Sequence, residues 1–382
     1  MLLNKSQQPE VLLVCSGLDS MGISRFPRLL SKAGCRVILL SPIGNTVNRS
    51  RYVSTHIHAS TELKTLVQQL KELLSLQSPP FAQVIIGDEV VLSKLVKYRG
   101  EDWLDGWFPV DHRSHAVDIM LSKHAFYDAM VEEGLYLPYS KLCKGWIEVK
   151  EAVEQAGYPV LLKSANGCAG WGVRMVHQSE EFKAAYFDLT LADDTLLVQQ
   201  FCQGKLGATD ILFDHGVPVC WQSSYKLECW PTPLSPSSAR IIMHHASIEQ
   251  IVTVVGKVTG FHGFCAVDWI HETDSDRIFL LEMNPRPTPC FHLGYHSGVD
   301  FSRSFKQLIL GQSTITPPKP VSKPAKLIKL FPQGVYWAID QQDLLGFIQS
   351  WWDAPWDDPR LMISYLRRVW YYFFHQRKIV KA

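Results

Sequence analysis

The sequence lacks an excess of charge of either sign, a CxxC cysteine pair and a long apolar run. Its 38 basic and 37 acidic residues leave a formal net charge of +1, whereas nucleic-acid-binding domains usually present a basic face. We therefore expect no nucleic-acid partner. The nine cysteines are scattered along the chain, which suits reduced thiols better than a disulfide framework or a zinc site.

The sequence also lacks a recognisable segment for secretion or membrane insertion. No apolar run approaches the roughly 20 residues that a membrane-spanning helix needs, and the opening residues MLLNKSQQPE contain no signal-peptide core. Together with reduced thiols, these absences predict a cytoplasmic protein. A hydrophobic content of 46% in 382 residues is typical of a soluble globular chain with two or three packed units.

The N-terminal part of the chain predicts a doubly wound α/β sheet. Apolar strands alternate with an amphipathic helix that runs to about Ala33, an order typical of such sheets. Asp88 and Glu89 follow one strand, so they are candidates for a ligand pocket or for a helix cap. Asp19 is a further pocket candidate. The predicted strands are 11–15, 35–40 and 83–86.

A dinucleotide-binding oxidoreductase is one alternative for this N-terminal unit, but the sequence does not favour it. The turn that follows the first strand does not match G-x-G-x-x-G. The alternative rests only on Gly17 and Gly22 in that turn.

The stretch LLEMNPR, residues 280–286, is the most informative in the chain. Side chains alternate faces along an extended segment, so Glu282, Asn284 and Arg286 should project from the same side. Two oxygen ligands beside a cation suit Mg²⁺ bound to a polyphosphate. The alternative for this stretch alone is a surface strand with alternating polar residues.

A second segment, residues 160–174, places Lys163 on an apolar strand before a glycine-rich loop that contains Gly167, Gly170 and Gly172. Glycines let backbone amides approach phosphate oxygens and keep a loop free to close over a nucleotide. Lys163 would meet phosphate oxygens as a point charge. The alternative is a plain β-hairpin with a glycine-rich turn, and no P-loop motif occurs in the chain.

Three further segments point to the same ligand. Lys123 lies in the first turn of a predicted helix, where a positive charge is mildly unfavourable unless it meets an anion. A strand running into a turn at Gln200, Phe201 and Cys202 can offer backbone groups to an adenine edge. Asp268 should face the Glu282 strand across a short hairpin, where two carboxylates repel each other unless a cation lies between them.

In this order the segments resemble the ATP-grasp superfamily over residues 115–312, and they are most similar to its carboxylate–amine ligase branch. The resemblance implies an α/β fold in which an N-terminal Rossmann-like pre-ATP-grasp domain precedes a two-lobed ATP-grasp domain. We expect the boundaries 1–112 for the first domain, 113–194 for the small lobe with the lysine and glycine loop, 195–312 for the metal-binding lobe, and 313–382 for a linker and an aromatic tail.

The resemblance also implies roles for individual residues. Lys163 and Arg286 would act in catalysis, with Arg286 stabilising the transferred phosphoryl group. The chain departs from the family at Gln200, where a glutamate is frequent, and near Leu206, where an acidic residue often contacts ribose. The remaining implied roles are ATP phosphate binding by Lys123 and Lys163, a flexible loop at Gly167, Gly170 and Gly172, adenine binding near Gln200, Phe201 and Cys202, and Mg²⁺ (or Mn²⁺) binding by Asp268, Glu282 and Asn284.

The resemblance implies an ATP- and Mg²⁺-dependent ligase that activates a carboxylate as an acyl phosphate and joins it to an amine. Both substrates would be small molecules, and a homodimer is one candidate assembly. The alternatives are a non-catalytic ATP-binding scaffold or sensor, and an ATP-grasp kinase or carboxylase.

Two features outside these motifs leave alternatives open. His292, in the segment after the metal strand, could face the acceptor substrate or cap the next turn. The basic and aromatic segment 361–380 predicts a terminal helix that packs on the ATP-grasp body or forms a dimer contact, in preference to one that lies at a membrane surface.

Overall fold

A computed structural model describes residues 8–76, 80–164, 172–191, 194–232, 235–318 and 326–376. Gly167 and Gly170, which were predicted to form the flexible loop, lie outside the described residues. The described chain forms three β-sheets with helices packed against them.

The N-terminal sheet is parallel and four-stranded, with strand order β3-β2-β1-β4. Its central strands are apolar and buried on both faces, as expected of a parallel sheet covered by helices. The predicted Rossmann-like unit is therefore confirmed. Its elements are β1 Glu10–Val14, α1 Phe26–Lys32, β2 Arg36–Pro42, β3 Thr55–Ala59, α2 Leu63–Leu76, β4 Gln83–Ile86 and α3 Glu89–Leu95.

Two helices and a small antiparallel sheet follow. The sheet has the strand order β5-β8-β6-β7, and its own apolar core is built with two helices that cover it. This sheet carries the predicted lysine strand. The elements are α4 Ala116–Leu121, α5 Lys123–Glu132, β5 Ser140–Lys144, α6 Gly145–Ala156, β6 Val160–Ser164, β7 Val173–Val176, α7 Ser179–Leu189 and β8 Thr195–Gln200.

The helical pattern that begins at Ala116 forms two helices, because it breaks at Ser122. Ser122 has extended backbone angles, and its hydroxyl accepts a hydrogen bond from the Ala125 amide as the cap of α5. Serine is a favoured cap because its side chain satisfies an amide that has no partner within the helix. The break places Lys123 at the first position of a new helix.

The third sheet has six strands in the order β13-β12-β9-β10-β11-β14. Helix α8 packs its apolar face on this sheet, and one continuous core joins the helix to the N-terminal sheet. The elements are β9 Gly204–Asp214, β10 Val217–Cys229, β11 Ser237–Met243, α8 Ser247–Thr259, β12 Gly263–Glu272, β13 Ile278–Asn284 and α9 Phe301–Ile309.

Gly207 on β9 is required by its neighbour on β12. The register pairs Gly207 with Trp269, whose ring is fully buried. A Cβ atom at residue 207 would lie 2.1 Å from the Trp269 ring, which no side chain could tolerate. The glycine therefore lets this indole lie flat against the sheet, where its Nε1 donates a hydrogen bond to Thr209.

The C-terminal segment joins the body of the protein rather than leaving it. Strand β14, Leu327–Lys329, pairs with β11 and extends the six-stranded sheet. Three helices follow, and the last of them carries the aromatic sequence. They are α10 Gln333–Gln341, α11 Leu344–Ser350 and α12 Pro359–Tyr371.

The favoured prediction placed this helix on the ATP-grasp body, whereas helix α12 packs against the N-terminal unit. The Tyr365 hydroxyl lies 2.5 Å from the Ser24 hydroxyl, and Arg368 donates hydrogen bonds to the Asp19 carboxylate. Trp370 and Phe374 remain more than half exposed. Among the described residues, no helix combines the length and the apolarity that crossing a membrane requires.

Asp353 ties the C-terminal helices to the rest of the fold. Its carboxylate accepts hydrogen bonds from Arg25 and His292, each at 2.8 Å, and from the Phe331 amide at 3.0 Å. The other ring nitrogen of His292 lies 2.8 Å from the Pro289 carbonyl oxygen. Both nitrogens of His292 are thus engaged within the protein, which favours its structural interpretation over a substrate contact.

Replacing Asp353 by asparagine should destabilise the protein by about 3–5 kcal/mol, because the buried Arg25 would lose its counter-charge. The side chain of Asp353 is only 8% exposed. Asp357→Asn is the matched control. The Asp357 side chain pairs with Arg28 but is 41% exposed, so this ion pair should contribute less than about 1 kcal/mol. Urea unfolding at neutral pH measures the free energy of unfolding of both variants. Equal losses of stability in the two would contradict the structural role assigned to Asp353.

The contribution of Asp353 should also depend on pH. Burial opposes ionisation, but the charge and hydrogen bonds of Arg25 and His292 hold the pKa of this carboxyl well below its usual range. A depressed carboxyl pKa stabilises the fold above the unfolded-state pKa, and this stability is lost as the pH falls through the folded-state pKa. The difference in unfolding free energy between wild type and Asp353→Asn should therefore shrink in acid.

Candidate active site

A cleft of about 410 Å³ lies between the small sheet and the six-stranded sheet. Helix α5 and the first turn of α3 complete its wall. Every predicted site residue that the structure describes lines this one cleft, although these residues come from five separate segments of the sequence. They are Lys123, Lys163, Gly172, Gln200, Phe201, Cys202, Asp268, Glu282, Asn284 and Arg286.

Asp268 and Glu282 are direct partners across the antiparallel strands β12 and β13. The predicted hairpin pairing of these acids is therefore confirmed. Asn284 follows on the same strand, opposite Ala266. Two carboxylates and an amide oxygen form a set of hard oxygen donors that fits Mg²⁺.

A bulge adjoins this pair of acids. Asp268 pairs with Glu282, but the next residue on β12, Trp269, pairs with Leu280, so Leu281 has no partner in the register. Such an extra residue bends its strand locally and changes the direction of the neighbouring side chains. The bulge lies beside the metal-ligand candidates, and Leu281 itself lines the cleft.

Each acid is compensated by a lysine from another element. The Lys123 ammonium lies 3.1 Å from a Glu282 oxygen, and the Lys226 ammonium lies 3.0 Å from an Asp268 oxygen. Sequence reasoning predicted a cation for this pair of acids but missed Lys226. Lys226 lies on β10 and reaches Asp268 on β12 across the intervening strand β9. This proximity depends on the order of the strands in the sheet, which the LLEMNPR motif does not reveal.

Lys163 lies near the end of β6, on the opposite wall from the two acids. Burial lowers the pKa of its ammonium, while the charges of Glu282 and Asp268 act in the opposite direction. The described part of the chain gives this ammonium no ion-pair partner within 4 Å. A partly buried cation of this kind is suited to an anionic ligand that enters the cleft.

Arg286 connects the cleft to the N-terminal unit. Its Nε donates a hydrogen bond to Glu89 at 3.0 Å, and Glu89 lies in the first turn of α3. The neighbouring Asp88 has a structural role, because its carboxylate caps α3 at the Val91 amide and also accepts hydrogen bonds from Ser16. The structure thus gives different roles to the two acids that the sequence left open: Asp88 caps α3, whereas Glu89 binds Arg286.

The segment predicted to meet adenine forms one rim of the cleft. The Gln200 amide donates to the Tyr139 carbonyl at 2.8 Å, so this donor is already used. Cys202 is buried, and burial raises the pKa of its thiol to about 11. Leu206, where the family often has an acidic residue, also lines the cleft.

The cleft adjoins a second and larger groove of about 930 Å³. Gly204, Leu206 and Lys226 line both spaces. On its far side the groove is bounded by the C-terminal helices, with Trp337 and Asp340 from α10. Sequence reasoning did not identify this groove, because it forms only when β14 and α10 close against β10 and β11.

Comparisons with known proteins agree with this geometry. Residues 120–290 match the family model of the ATP-grasp domain. The acetyl-CoA carboxylase of Schizosaccharomyces pombe is 26% identical over 162 residues, which cover 39% of this chain and 7% of the carboxylase. The D-alanine–D-alanine ligase of Xylella fastidiosa is 27% identical over 161 residues, which cover 40% of this chain and 52% of the ligase.

A solved structure extends the likeness beyond the matched domain. The N5-carboxyaminoimidazole synthetase of Staphylococcus aureus, complexed with ADP, superposes with a TM-score of 0.68 at 12% sequence identity. The superposition covers 89% of this chain and 87% of the synthetase, and it shows a shared fold. The lysine-loop and metal-strand motifs therefore predicted an ATP-grasp domain correctly, and the family model places this domain at residues 120–290.

Proposed function

We propose that the protein is an ATP- and Mg²⁺-dependent ligase that activates a carboxylate as an acyl phosphate and joins it to an amine. The observation that carries the proposal is the charge arrangement of one cleft. Asp268, Glu282 and Asn284 lie on one wall, and lysines converge on them from separate elements. This is the combination that phosphoryl transfer needs, because catalysis of that reaction consists mostly of positioning and charge neutralisation.

The cations of the cleft would divide the work of neutralising a polyphosphate. Lys163, which has no ion-pair partner in the described chain, would bind phosphate oxygens. Lys123 and Lys226 already touch Glu282 and Asp268, so they would lie at the border between the metal ligands and the phosphates. Arg286, held by Glu89, would stabilise the phosphoryl group in transfer. Fixed charges of this kind act without reorganising during the reaction.

Asp268, Glu282 and Asn284 would hold Mg²⁺, and Mn²⁺ would suit the same oxygen donors. The bound ion would supply charge neutralisation at the phosphate oxygens. The donor set fits this ion better than it fits zinc, because it contains neither a thiolate nor an imidazole.

An acyl phosphate also needs protection from water. Ser164 and Gly172, which flank the glycine-rich segment, both line the cleft, and the Gly172 carbonyl accepts a hydrogen bond from the Ser164 amide. Closure of such a segment over bound ATP would exclude water from the reactive intermediate. The larger groove beside the cleft, which shares Lys226 with it, would accommodate the second substrate.

A carboxylase is the second candidate. It would activate bicarbonate in place of an organic acid, and the chain is similar to an acetyl-CoA carboxylase and to an N5-carboxyaminoimidazole synthetase. The two candidates share the phosphoryl-transfer machinery and differ only in the carboxylate that is activated.

A screen of ADP release by the purified protein tests the proposal and separates the candidates. The protein would be incubated with Mg-ATP, panels of acids and amines, and bicarbonate in separate wells. ADP that forms only with an acid and an amine together, with an amide detected by mass spectrometry, supports the ligase. ADP that depends on bicarbonate supports the carboxylase. Mg-ATP binding without turnover on any panel would instead favour the ATP-binding scaffold or sensor.

ADP formation should fall by roughly 10²–10³-fold in Lys163→Ala and in Glu282→Ala. The first substitution removes a cation that would bind the phosphates, and the second removes a ligand of the proposed Mg²⁺ ion. The far-ultraviolet circular dichroism should remain that of wild type. Lys257→Ala is a matched control, because Lys257 forms a surface ion pair with Glu133 outside the cleft. Full ADP formation by a soluble Lys163→Ala protein would refute the proposed role of Lys163.

The lowered pKa of Lys163 predicts a pH dependence of nucleotide binding. As the pH rises, this ammonium should lose its proton at a lower pH than an ordinary lysine does. The neutral amine no longer attracts the negative charge of the phosphates. ATP affinity of wild type should therefore decline over a pH range that lies below the ordinary lysine pKa of about 10.4. Lys163→Arg should flatten this decline, because a guanidinium stays charged throughout that range. Calorimetric titrations of both proteins measure the effect, and identical pH profiles would contradict it.

A further inference from the structure

A second group of metal-ligating side chains lies at the far end of β9 from the cleft. Asp214 ends the strand, and His215 forms the turn into β10. The 11 residues of β9 rise about 3.3 Å each, so the turn lies roughly 30 Å from Gly204 at the cleft. The segment that enters β12 passes beside this turn and contributes His262.

The backbone fixes the position of the turn. The Gly216 amide donates to the Phe261 carbonyl at 2.7 Å, which holds the turn against the segment that carries His262. Gly216 also packs directly on Gly256 of α8, where a Cβ atom would lie 2.1 Å from the Gly216 oxygen. As a result, the rings of His215 and His262 stack with their centroids 4.1 Å apart.

Three candidate ligand atoms converge at this point. One oxygen of Asp214 lies 3.5 Å from Nδ1 of His262, and one ligand atom from each of Asp214, His215 and His262 lies within 4.8 Å of the other two. Ligands that are each about 2.0–2.1 Å from a tetrahedral zinc ion are about 3.3 Å apart. Rotation of the exposed His215 ring out of the stack would bring its nitrogen to this spacing.

The hydrogen bonds of His262 identify which of its ring nitrogens is free of a proton and faces Asp214. Nε2 lies 3.0 Å from the Gln83 side-chain oxygen, which can only accept, so Nε2 carries the proton. The His215 amide donates to Nδ1 at 3.3 Å, as expected if Nδ1 has no proton. Nδ1 therefore directs a lone pair towards a carboxylate oxygen. These two electron-rich atoms repel each other unless a cation lies between them.

The ligands also have the supporting contacts that metal sites use. Gln83 fixes the tautomer of His262, and the Ser313 hydroxyl donates to the second oxygen of Asp214 at 2.5 Å. Such contacts orient the ligands and are a common part of built metal sites. The 3.3 Å hydrogen bond from the His215 amide is long, so an ion could replace it at little cost.

A second histidine group in the protein provides a contrast. In it, His271 Nε2 lies 2.6 Å from Asp276, and the Ser247 amide donates to Nδ1 of His245. The nitrogens of His245 and His271 that face Asp276 therefore carry protons, which satisfy the carboxylate without an ion. An ion at this group would have to displace both protons.

We propose that Asp214, His215 and His262 bind a divalent transition-metal cation of the zinc class. Two neutral imidazoles and a carboxylate are ligands that zinc accepts, and a fourth position stays open to water. The ion links the β9–β10 turn to the start of β12 and, through Gln83, to the N-terminal sheet. It is separate from the magnesium site proposed in the cleft.

Calorimetric titration of the full-length, EDTA-treated protein with zinc chloride tests this site, and Co²⁺ absorption gives a spectroscopic record of the ligands. We expect one tight site in wild type. His215→Asn should weaken zinc binding by about 10–100-fold or more. Asparagine is the suitable replacement because residue 215 has a φ of 45°, a left-handed conformation that asparagine tolerates well. His271→Gln is the matched control, and its zinc affinity should equal that of wild type.

A second variant guards against a fold defect in the first. Gln83→Leu replaces none of the three proposed ligands but removes the acceptor that fixes the His262 tautomer, and it should weaken zinc binding by about 10–100-fold. Zinc should raise the unfolding temperature of wild type and His271→Gln, but not that of His215→Asn. Absence of a tight zinc site in wild type, equal affinity in His215→Asn, or loss of binding in His271→Gln would each overturn the proposal.

Discussion

The active-site half of the structure depends on the close placement of two carboxylates, Asp268 and Glu282, on neighbouring strands. Opposite positions on antiparallel strands bring side chains within about 5 Å of each other, so two negative charges there need compensation. The fold provides it with Lys123 at the start of α5 and Lys226 on β10. Lys163 adds a third positive charge from the opposite wall, where burial disfavours its charged form. The cleft is therefore arranged for a ligand that brings both negative groups and a metal ion.

The frame behind this cleft is rigid where the charges must be held. Trp269 follows Asp268 on β12 and lies fully buried against Gly207, so this part of β12 cannot shift without losing that packing. Arg286 and Glu89 connect the metal strand to the N-terminal unit, and the Asp353 cluster connects the C-terminal helices to it. The two walls of the cleft belong to different sheets with separate cores, which suits a site that opens and closes around a nucleotide.

The sequence was sufficient to predict the ATP-grasp domain and the residues that share the cleft, because those signals are local. In LLEMNPR the alternation of a single strand determines which side chains share a face, and the structure places all three polar residues in one cleft. Similarly, Lys123 was placed correctly in the first turn of a helix, which the break at Ser122 separates from α4. The break depends on one cap residue inside an otherwise continuous helical pattern.

The missed features depend on strand order and on how elements dock. Lys226 reaches Asp268 only because β9 lies between their strands, and Glu89 reaches Arg286 only because the N-terminal unit packs on the metal-binding sheet. The His215 and His262 pair could not be found either, because a tight turn and a distant strand meet through Gly216 and Gly256. No spacing rule in the sequence relates these residues. The four predicted domain boundaries and the individual roles in ATP binding stay predictions.

The most direct measurement is calorimetric titration of the wild-type protein with ATP or ADP in the presence and in the absence of Mg²⁺, repeated with Glu282→Gln. The account predicts nucleotide binding that is markedly tighter with Mg²⁺, and a loss of that difference when the carboxylate becomes an amide. Nucleotide affinity that does not respond to Mg²⁺ in wild type, or a Mg²⁺ effect that persists unchanged in Glu282→Gln, would contradict it.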